Sequence, residues 1–311
     1  MQPGELIEAE RILRICNACR YCEGYCAVFP AMERMQSFPA ADVNYLANLC
    51  HNCGECLDAC QYAPPHEFGV DVPKLLERIR NDSYRQYVWP RPIPNWILIS
   101  LGLIVPALLA GRGGNFYSVI PKATMVGLFG IVSLLVIALC AAGLIRFWRE
   151  CGQSPAFIAT PLRDVLMLRY LDRGPRRWFH HLTFYGFALC FASTCTAAFY
   201  EDALGLRAPF GYFSVPVILG TSGGLALLAG TLGMVAMKHR SSFTVLLLLT
   251  AASGLALLAL RQTASMSFLL VLHLGIVLAL FLTMPYGKFV HGIYRSAALL
   301  RYGMESRGVH R

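Results

Sequence analysis

The sequence predicts an all-α fold in two parts, a cysteine-rich polar head of residues 1–91 followed by an apolar bundle of six membrane-crossing helices, residues 92–311. Three observations predict it. Eight of the twelve cysteines fall in two runs within the first 60 residues, 56% of the chain is hydrophobic with only 14% charged, and long uncharged stretches recur from residue 92 onward. A soluble domain is not expected to be so apolar. Charge divides the chain in the same place: residues 1–91 hold 9 Lys/Arg and 12 Asp/Glu, whereas residues 92–311 hold 18 and 6. The overall net charge of +9 is therefore a property of the apolar part. It argues for membrane topology and against nucleic-acid binding, because the head has no basic stripe with interleaved aromatics.

In chain order, residues 2–15 read as a short helix. Pro3 stands near its start, Glu5 and Glu8 lie early and Arg11 and Arg14 late, which suits the helix dipole. These residues are polar and lack an apolar core of a leader, so no signal peptide is expected. The first cysteine run is Cys16-x2-Cys19-x2-Cys22-x3-Cys26 and the second Cys50-x2-Cys53-x2-Cys56-x3-Cys60. Three thiolates at this spacing wrap one corner of an iron–sulfur cubane, and in two-cluster proteins the fourth reaches the other cluster. Cys16, Cys19, Cys22 and Cys60 are thus expected to hold one [4Fe-4S] centre, and Cys50, Cys53, Cys56 and Cys26 the second. Structural zinc takes well-separated cysteine pairs, and disulfides need an oxidising compartment. One departure is that proline follows each fourth cysteine by four residues, at Pro30 and Pro64, instead of directly. Residues 27–49 lack hairpin alternation and contain a helical stretch at 42–49, which predicts a helical two-cluster ferredoxin-like head. Asp71 is placed to cap a helix from Val72 to about Arg85. Residues 88–95 form a proline-rich linker, with Trp89 and Trp96 suited to a membrane interface.

Spans are expected at about 95–111, 123–146, 179–201, 214–237, 242–260 and 266–288, or four or five if some are re-entrant. About twenty residues at 1.5 Å each cross roughly 30 Å of hydrocarbon. Pro94 and Pro106 make the first the weakest. With the N-terminus inside, the inner loops carry 14 Lys/Arg and the outer loops 4. Both termini and the cysteine head are therefore expected in the cytoplasm of a bacterial inner membrane. In the long inner loop, residues 162–171 read as an amphipathic helix lying on that membrane face.

Ionisable residues within spans point to function. His180 and His181 open the third span, and His273 and His291 lie in and after the sixth. Read as one continuous helix, His273 and His291 share a face about 27 Å apart. A b-type haem needs one imidazole from each of two helices at similar depth. That pairs His291 with His180, with His181 and His273 as alternates. No histidine matches His273 in depth; Cys190 lies near it in height, but a buried thiol is an ordinary small hydrophobe. One haem b is expected. His51, His66 and His239 read as surface residues, His51 being placed to tune its cluster through a hydrogen bond.

The segments Cys16–Pro30, Cys50–Cys56 and Arg176-Arg-Trp-Phe-His-His-Leu-Thr-Phe-Tyr-Gly-Phe187 resemble the tricarballylate utilization protein B family, also labelled citrate utilization protein B. The resemblance covers nearly the whole chain. It implies a membrane iron–sulfur and haem b protein that takes electrons from a separate FAD-dependent tricarballylate dehydrogenase and delivers them to the quinone pool. The membrane half is also similar to the gamma subunit of respiratory nitrate reductase. That similarity puts His291 and His273 on one ligand helix and His180 at the near place on the other. The far place falls near Cys190, so the likeness supports a single haem near the cytoplasm. The sequence has no G-x-G-x-x-G following a strand, hence no flavin site or substrate-oxidising site of its own is expected. An electron-transfer subunit is the reading. Its rivals are the same role for another donor, such as a heterodisulfide-reductase-like or glycolate-oxidase-like partner, and a membrane redox sensor. The sensor would bring a signalling module or a DNA-binding helix pair, and neither is visible.

Overall fold

A computed structural model describes residues 3–89, 93–111, 113, 116–152, 163, 166–167, 174–237 and 241–308. Among these residues the regular structure is helical and no strand occurs. In chain order the helices are α1 (Pro3–Cys19), α2 (Val28–Glu33), α3 (Ala40–Leu49), α4 (Glu55–Asp58), α5 (Val72–Tyr87), α6 (Asn95–Leu109) and α7 (Phe116–Val119). There follow α8 (Lys122–Cys151), α9 (Pro175–Asp202), α10 (Val215–Ala236), α11 (Ser242–Leu260), α12 (Met266–Thr283), a 3-10 turn (Met284–Tyr286) and α13 (Phe289–Gly308). Most of the helix expected at 162–171, the linker residues 90–92 and the loop 238–240 with His239 lie outside the described residues.

The chain divides into two compact units. One comprises Met1–Pro92, Ala138–Asp172 and Phe289–Arg311, the other Ile93–Ile137 and Arg173–Lys288. The units are interleaved in sequence, since the end of α8 and all of α13 join the cysteine-bearing head.

In the head, α1 starts at Pro3, whose fixed φ and missing N–H cost nothing in a first turn, and it buries Ala9, Ile12 and Leu13. Its exposed face carries Arg11–Glu8 and Arg14–Glu10 ion pairs at 2.7 and 2.6 Å, each worth a few tenths of a kcal/mol at most, roughly. Helix α3 is buried from Val43 through Leu49 and packs on α5. Asp71 caps α5 by accepting from the Lys74 N–H at 3.0 Å, and Leu75, Leu76 and Ile79 turn inward. Helix α8 has 30 residues, about 45 Å of rise against roughly 30 Å of hydrocarbon, so it is long enough for its last turns to leave the apolar zone. There Phe147 is buried and meets the Tyr294 and Tyr87 rings at centroid distances of 5.5 and 6.1 Å. Arg301 of α13 stacks 4.0 Å over the Tyr45 ring and pairs with Asp42 at 2.9 Å.

In the other unit, α9, α10, α11 and α12 pack in sequence order and α6 lies along α12. Small residues set the spacing, as is usual between apolar helices. A Cβ on Gly102 would sit 2.4 Å from the backbone of Ala279, and one on Gly186 2.5 Å from the Leu227 nitrogen. Lys122 pairs with Glu201 and Asp202 at 3.1 and 2.6 Å, tying the start of α8 to the end of α9.

Among the described residues five helices are long and apolar enough to cross a membrane: Lys122–Cys151, Pro175–Asp202, Val215–Ala236, Ser242–Leu260 and Met266–Tyr286. The expected first span, 95–111, is shorter. Helix α6 has 15 residues with Pro106 inside it, about 22 Å of rise and less than the hydrocarbon thickness. The expected single helix through His273 and His291 is also corrected. Pro285 enters a 3-10 turn and Gly287 lies extended after it, so α12 stops and α13 begins anew. His273 and His291 therefore belong to different helices and do not share a five-turn face.

Candidate functional site

Both cysteine runs use the same local device. Cys16 and Cys19 stand on the last turn of α1, and the helix then turns through Arg20 at φ 55°. In the second run Cys50 ends α3, and Asn52 at φ 60° and Gly54 at φ 90° swing the chain into α4. Arg20 and Asn52 are the non-glycine residues with positive φ among the described residues. A side chain in this region is uncommon and points to a local demand. The demand is to fold three thiols of each run toward one point within a single turn.

Cys16, Cys19 and Cys22 line a cavity of about 230 Å³ together with Cys60, against a wall that includes Phe29, Tyr62 and Val70. Burial pushes the Cys16 thiol up to about 12, with the charges of Cys60, Cys22 and Cys19 adding to it. Burial likewise lifts Cys22 to about 11, reinforced by Cys60 and Cys19. On the other side Cys26 is raised to about 12, by burial and then by Cys50 and Cys53, while the Val28 N–H and Arg295 pull it down. Cys56 rises through burial and the charges of Cys26, Cys50, Cys53 and Cys22. The thiols thus gather as 16/19/22/60 and 26/50/53/56, each set exchanging its fourth member with the other run.

Four thiolates cannot crowd together without a cation, and a donor set of this kind fits an iron–sulfur cage. A single tetrahedral ion with Zn–S of about 2.3 Å would hold its sulfurs within about 4 Å of each other. Among the described residues no three His, Cys, Asp or Glu side chains converge to share one ion. Gln61 offers its Nε2 to Cys19 Sγ at 3.8 Å, and the Asn52 N–H reaches Cys50 Sγ at 3.4 Å.

The histidines divide between the units. His291, in α13, contacts the Tyr84 hydroxyl through Nδ1 at 2.9 Å. Tyr84 donates its one proton to Asn48 Oδ1 at 2.9 Å, and Asn48 is oriented by its Nδ2 donating to the Asn44 carbonyl, also 2.9 Å. The Tyr84 oxygen must then accept from His291, which places the imidazole proton on Nδ1 and the lone pair on Nε2. That is the tautomer of a metal-ligating histidine oriented by a hydrogen bond. Burial raises the Tyr84 phenol, so it stays protonated and keeps this direction. The His51 ring stacks on His291 at 6.5 Å with a 28° tilt. His51 is half-buried, not the surface residue the sequence predicts, because α13 covers it; His66 is exposed as expected. Replacing Tyr84 with Phe should destabilise the head by about 1–3 kcal/mol through the buried polar groups it strands. Thermal unfolding in detergent would measure it.

In the other unit, α9 meets α10 through Phe179, Thr183 and Gly186, which lie against Gly233, Gly230 and Gly223. His181 is two residues past Phe179, on the side away from α10, stacked on Tyr185 at 5.8 Å and 2°. His180 lies on the flank between these faces. Ser253 donates its one proton to the Leu249 carbonyl at 2.7 Å, so its oxygen accepts from the His273 Nδ1–H at 2.9 Å. This repeats the logic of Tyr84 and His291. Cys190 lies against Gly223 of α10, whereas Ser253, the hydrogen-bond partner of His273, is on α11. The expected pair, His180 and His291, is split between the two units.

Sequence reasoning passed over Tyr84, Asn48 and Ser253. Each is an ordinary polar residue on a helix, and its partner is distant in sequence. Only the amphipathic pattern of α5 hinted that Tyr84 points inward.

Comparison with known proteins adds the family. The citrate utilization protein B model matches residues 94–310, and the Fer4-like domain model of citrate utilization protein B matches residues 9–86. Citrate utilization protein B of Escherichia coli is 45% identical, over 96% of this chain and 92% of that protein. No solved structure matches. A helical head with a Fer4-like match, joined to helices that can cross a membrane and covered almost end to end by such a relative, settles the family: the chain belongs to the citrate utilization protein B family.

Proposed function

We propose that this chain is a membrane electron carrier that links a cytoplasmic FAD-dependent dehydrogenase to the quinone pool. When bound, two [4Fe-4S] clusters and one haem b supply the single-electron steps between a two-electron flavin and a quinone. The observation that carries the reading is the cavity where Cys60 meets Cys16, Cys19 and Cys22. These four residues would hold one cluster and Cys50, Cys53, Cys56 and Cys26 the other. His291 would hold the haem with His180, and His181 and His273 stand as alternates. The Nε2 lone pair of His291 supports its part, and the stacking of His181 on Tyr185 favours His180.

The positive-inside count supports cytoplasmic termini and a cytoplasmic head. A likeness to the nitrate reductase gamma subunit with a sixth crossing at α6 belongs to the same reading. The donor is proposed as a tricarballylate dehydrogenase-like flavoprotein, a reading in keeping with the citrate utilization name of the relative and the resemblance of the motifs. No residue of this chain oxidises the acid in this scheme. The test is absorption and EPR spectroscopy of anaerobically purified protein before and after reduction. About eight non-haem irons and one reducible b-type haem are expected, reduced by tricarballylate plus the neighbouring flavoprotein. Absence of a Soret band, or iron far below eight, would sink the scheme.

A further inference from the structure

The two thiol sets differ in the charge around them. Arg80 of α5 is buried and donates from Nη1 to the Cys50 carbonyl at 2.9 Å and to the Ala47 carbonyl at 3.2 Å. This fixes a guanidinium behind the second run. Arg295 of α13 has its Nη1 shut off from solvent. It stands one helical turn beyond His291, on the same face, and the His291 ring stacks on His51, the neighbour of Cys50. Arg295 acts on the Cys26 and Cys50 thiols, and Cys26, Cys50 and Cys53 act on it. A backbone N–H, from Asn52, also points at Cys50 Sγ.

The other set has a neutral amide donor, Gln61 Nε2 at 3.8 Å from Cys19 Sγ, in place of a buried guanidinium. Apart from burial, the influences on Cys16 and Cys22 are other thiols. Arg20, adjacent in sequence, is exposed and turns its Nε to the Asn17 carbonyl at 3.1 Å, where solvent screens it.

We propose that Arg295, backed by Arg80, raises the reduction potential of the centre held by Cys26, Cys50, Cys53 and Cys56 above that held by Cys16, Cys19, Cys22 and Cys60. This rests on the electron-carrier reading above and gives it a direction. Adding an electron makes a thiolate-ligated cage more negative, so burial alone opposes reduction. A fixed cation beside the cage offsets that cost, and does so most strongly where water cannot screen it. One electron then leaves the first centre, which is oxidised, and reduces the second. No bond forms or breaks. The flavin supplies the electron and the quinone receives it. The electron would then come to rest at the centre whose neighbours are His51 and His291.

The test is an EPR-monitored redox titration of full-length protein in detergent, with Cys56→Ala used to assign which signal belongs to which centre. The wild type should show two midpoint potentials, the higher one lost in Cys56→Ala. Arg295→Gln should weaken reduction of that centre at least tenfold, equivalent to about 59 mV for one electron. The other centre should be unmoved and iron content unchanged. Arg295→Lys should restore most of the shift, which a merely structural role would not do. Equal or reversed potentials in the wild type would overturn the proposal even if the variant failed to fold, as would an Arg295→Gln protein with an unshifted signal. Absence of any cluster signal in the wild type would instead overturn the electron-carrier reading itself.

Discussion

Replacing Cys60 with Ala is expected to cost the protein about half its non-haem iron, from about eight atoms to about four. Cys60 follows α4, yet it lines the cavity of Cys16, Cys19 and Cys22. The loss should therefore fall on the centre built by α1. A double variant, Cys16→Ala with Cys60→Ala, makes the assignment strict. If both residues serve one centre the second substitution removes nothing more, and iron stays at about four. Were each run to hold its own centre, the double variant would lose nearly all of it. Such non-additivity is what coupling through a shared site produces. Iron and acid-labile sulfide analysis, with EPR of the reduced protein, would read the result.

Gly186→Leu should be among the most damaging single changes in the apolar unit. A Cβ at this place lies 2.5 Å from the Leu227 nitrogen and 2.9 Å from the Gly223 carbonyl oxygen. Both are backbone atoms, so no rotamer change can relieve the clash and α9 must move off α10. Overpacking that side chains can absorb costs about 1–3 kcal/mol; this one should exceed that range. The expected outcome is loss of monodisperse protein in detergent, or a fall in Tm larger than that of any surface variant. Gly127→Leu is the control, because nothing lies within 4 Å of a Cβ there. If the two variants behaved alike, the packing of α9 on α10 would be misread.

The sequence was informative where the chemistry is local. The spacing of the cysteines is a property of neighbouring residues, and so is the Asp71 cap, whose bond reaches only to Lys74. The apolar stretches are likewise contiguous, and the expected 242–260 span coincides with α11. What escaped was non-local. The break between α12 and α13 needed one to weigh Pro285 and Gly287 against an otherwise unbroken run of helix formers. The partnership of Tyr84 with His291 joins residues more than two hundred positions apart. Arg295, read from sequence as one of the positive-inside charges, lies by the second cysteine run. A charge count places such a residue on a side of the membrane but says nothing of the company it keeps.

The interleaving of the head has a consequence for how the protein is made. A ribosome releases the chain from its N-terminus, so residues 1–89 emerge first, with the eight thiols of both runs already present. Yet Tyr45 waits for Arg301, Tyr87 for Phe147 and Tyr294, and Tyr84 for His291. Phe147 closes the first long apolar helix, and Tyr294, His291 and Arg301 are translated only after all the apolar helices. Maturation of the head is therefore a late event, and a nascent chain stalled before Phe289 would carry its sulfurs without the helix that packs beside them.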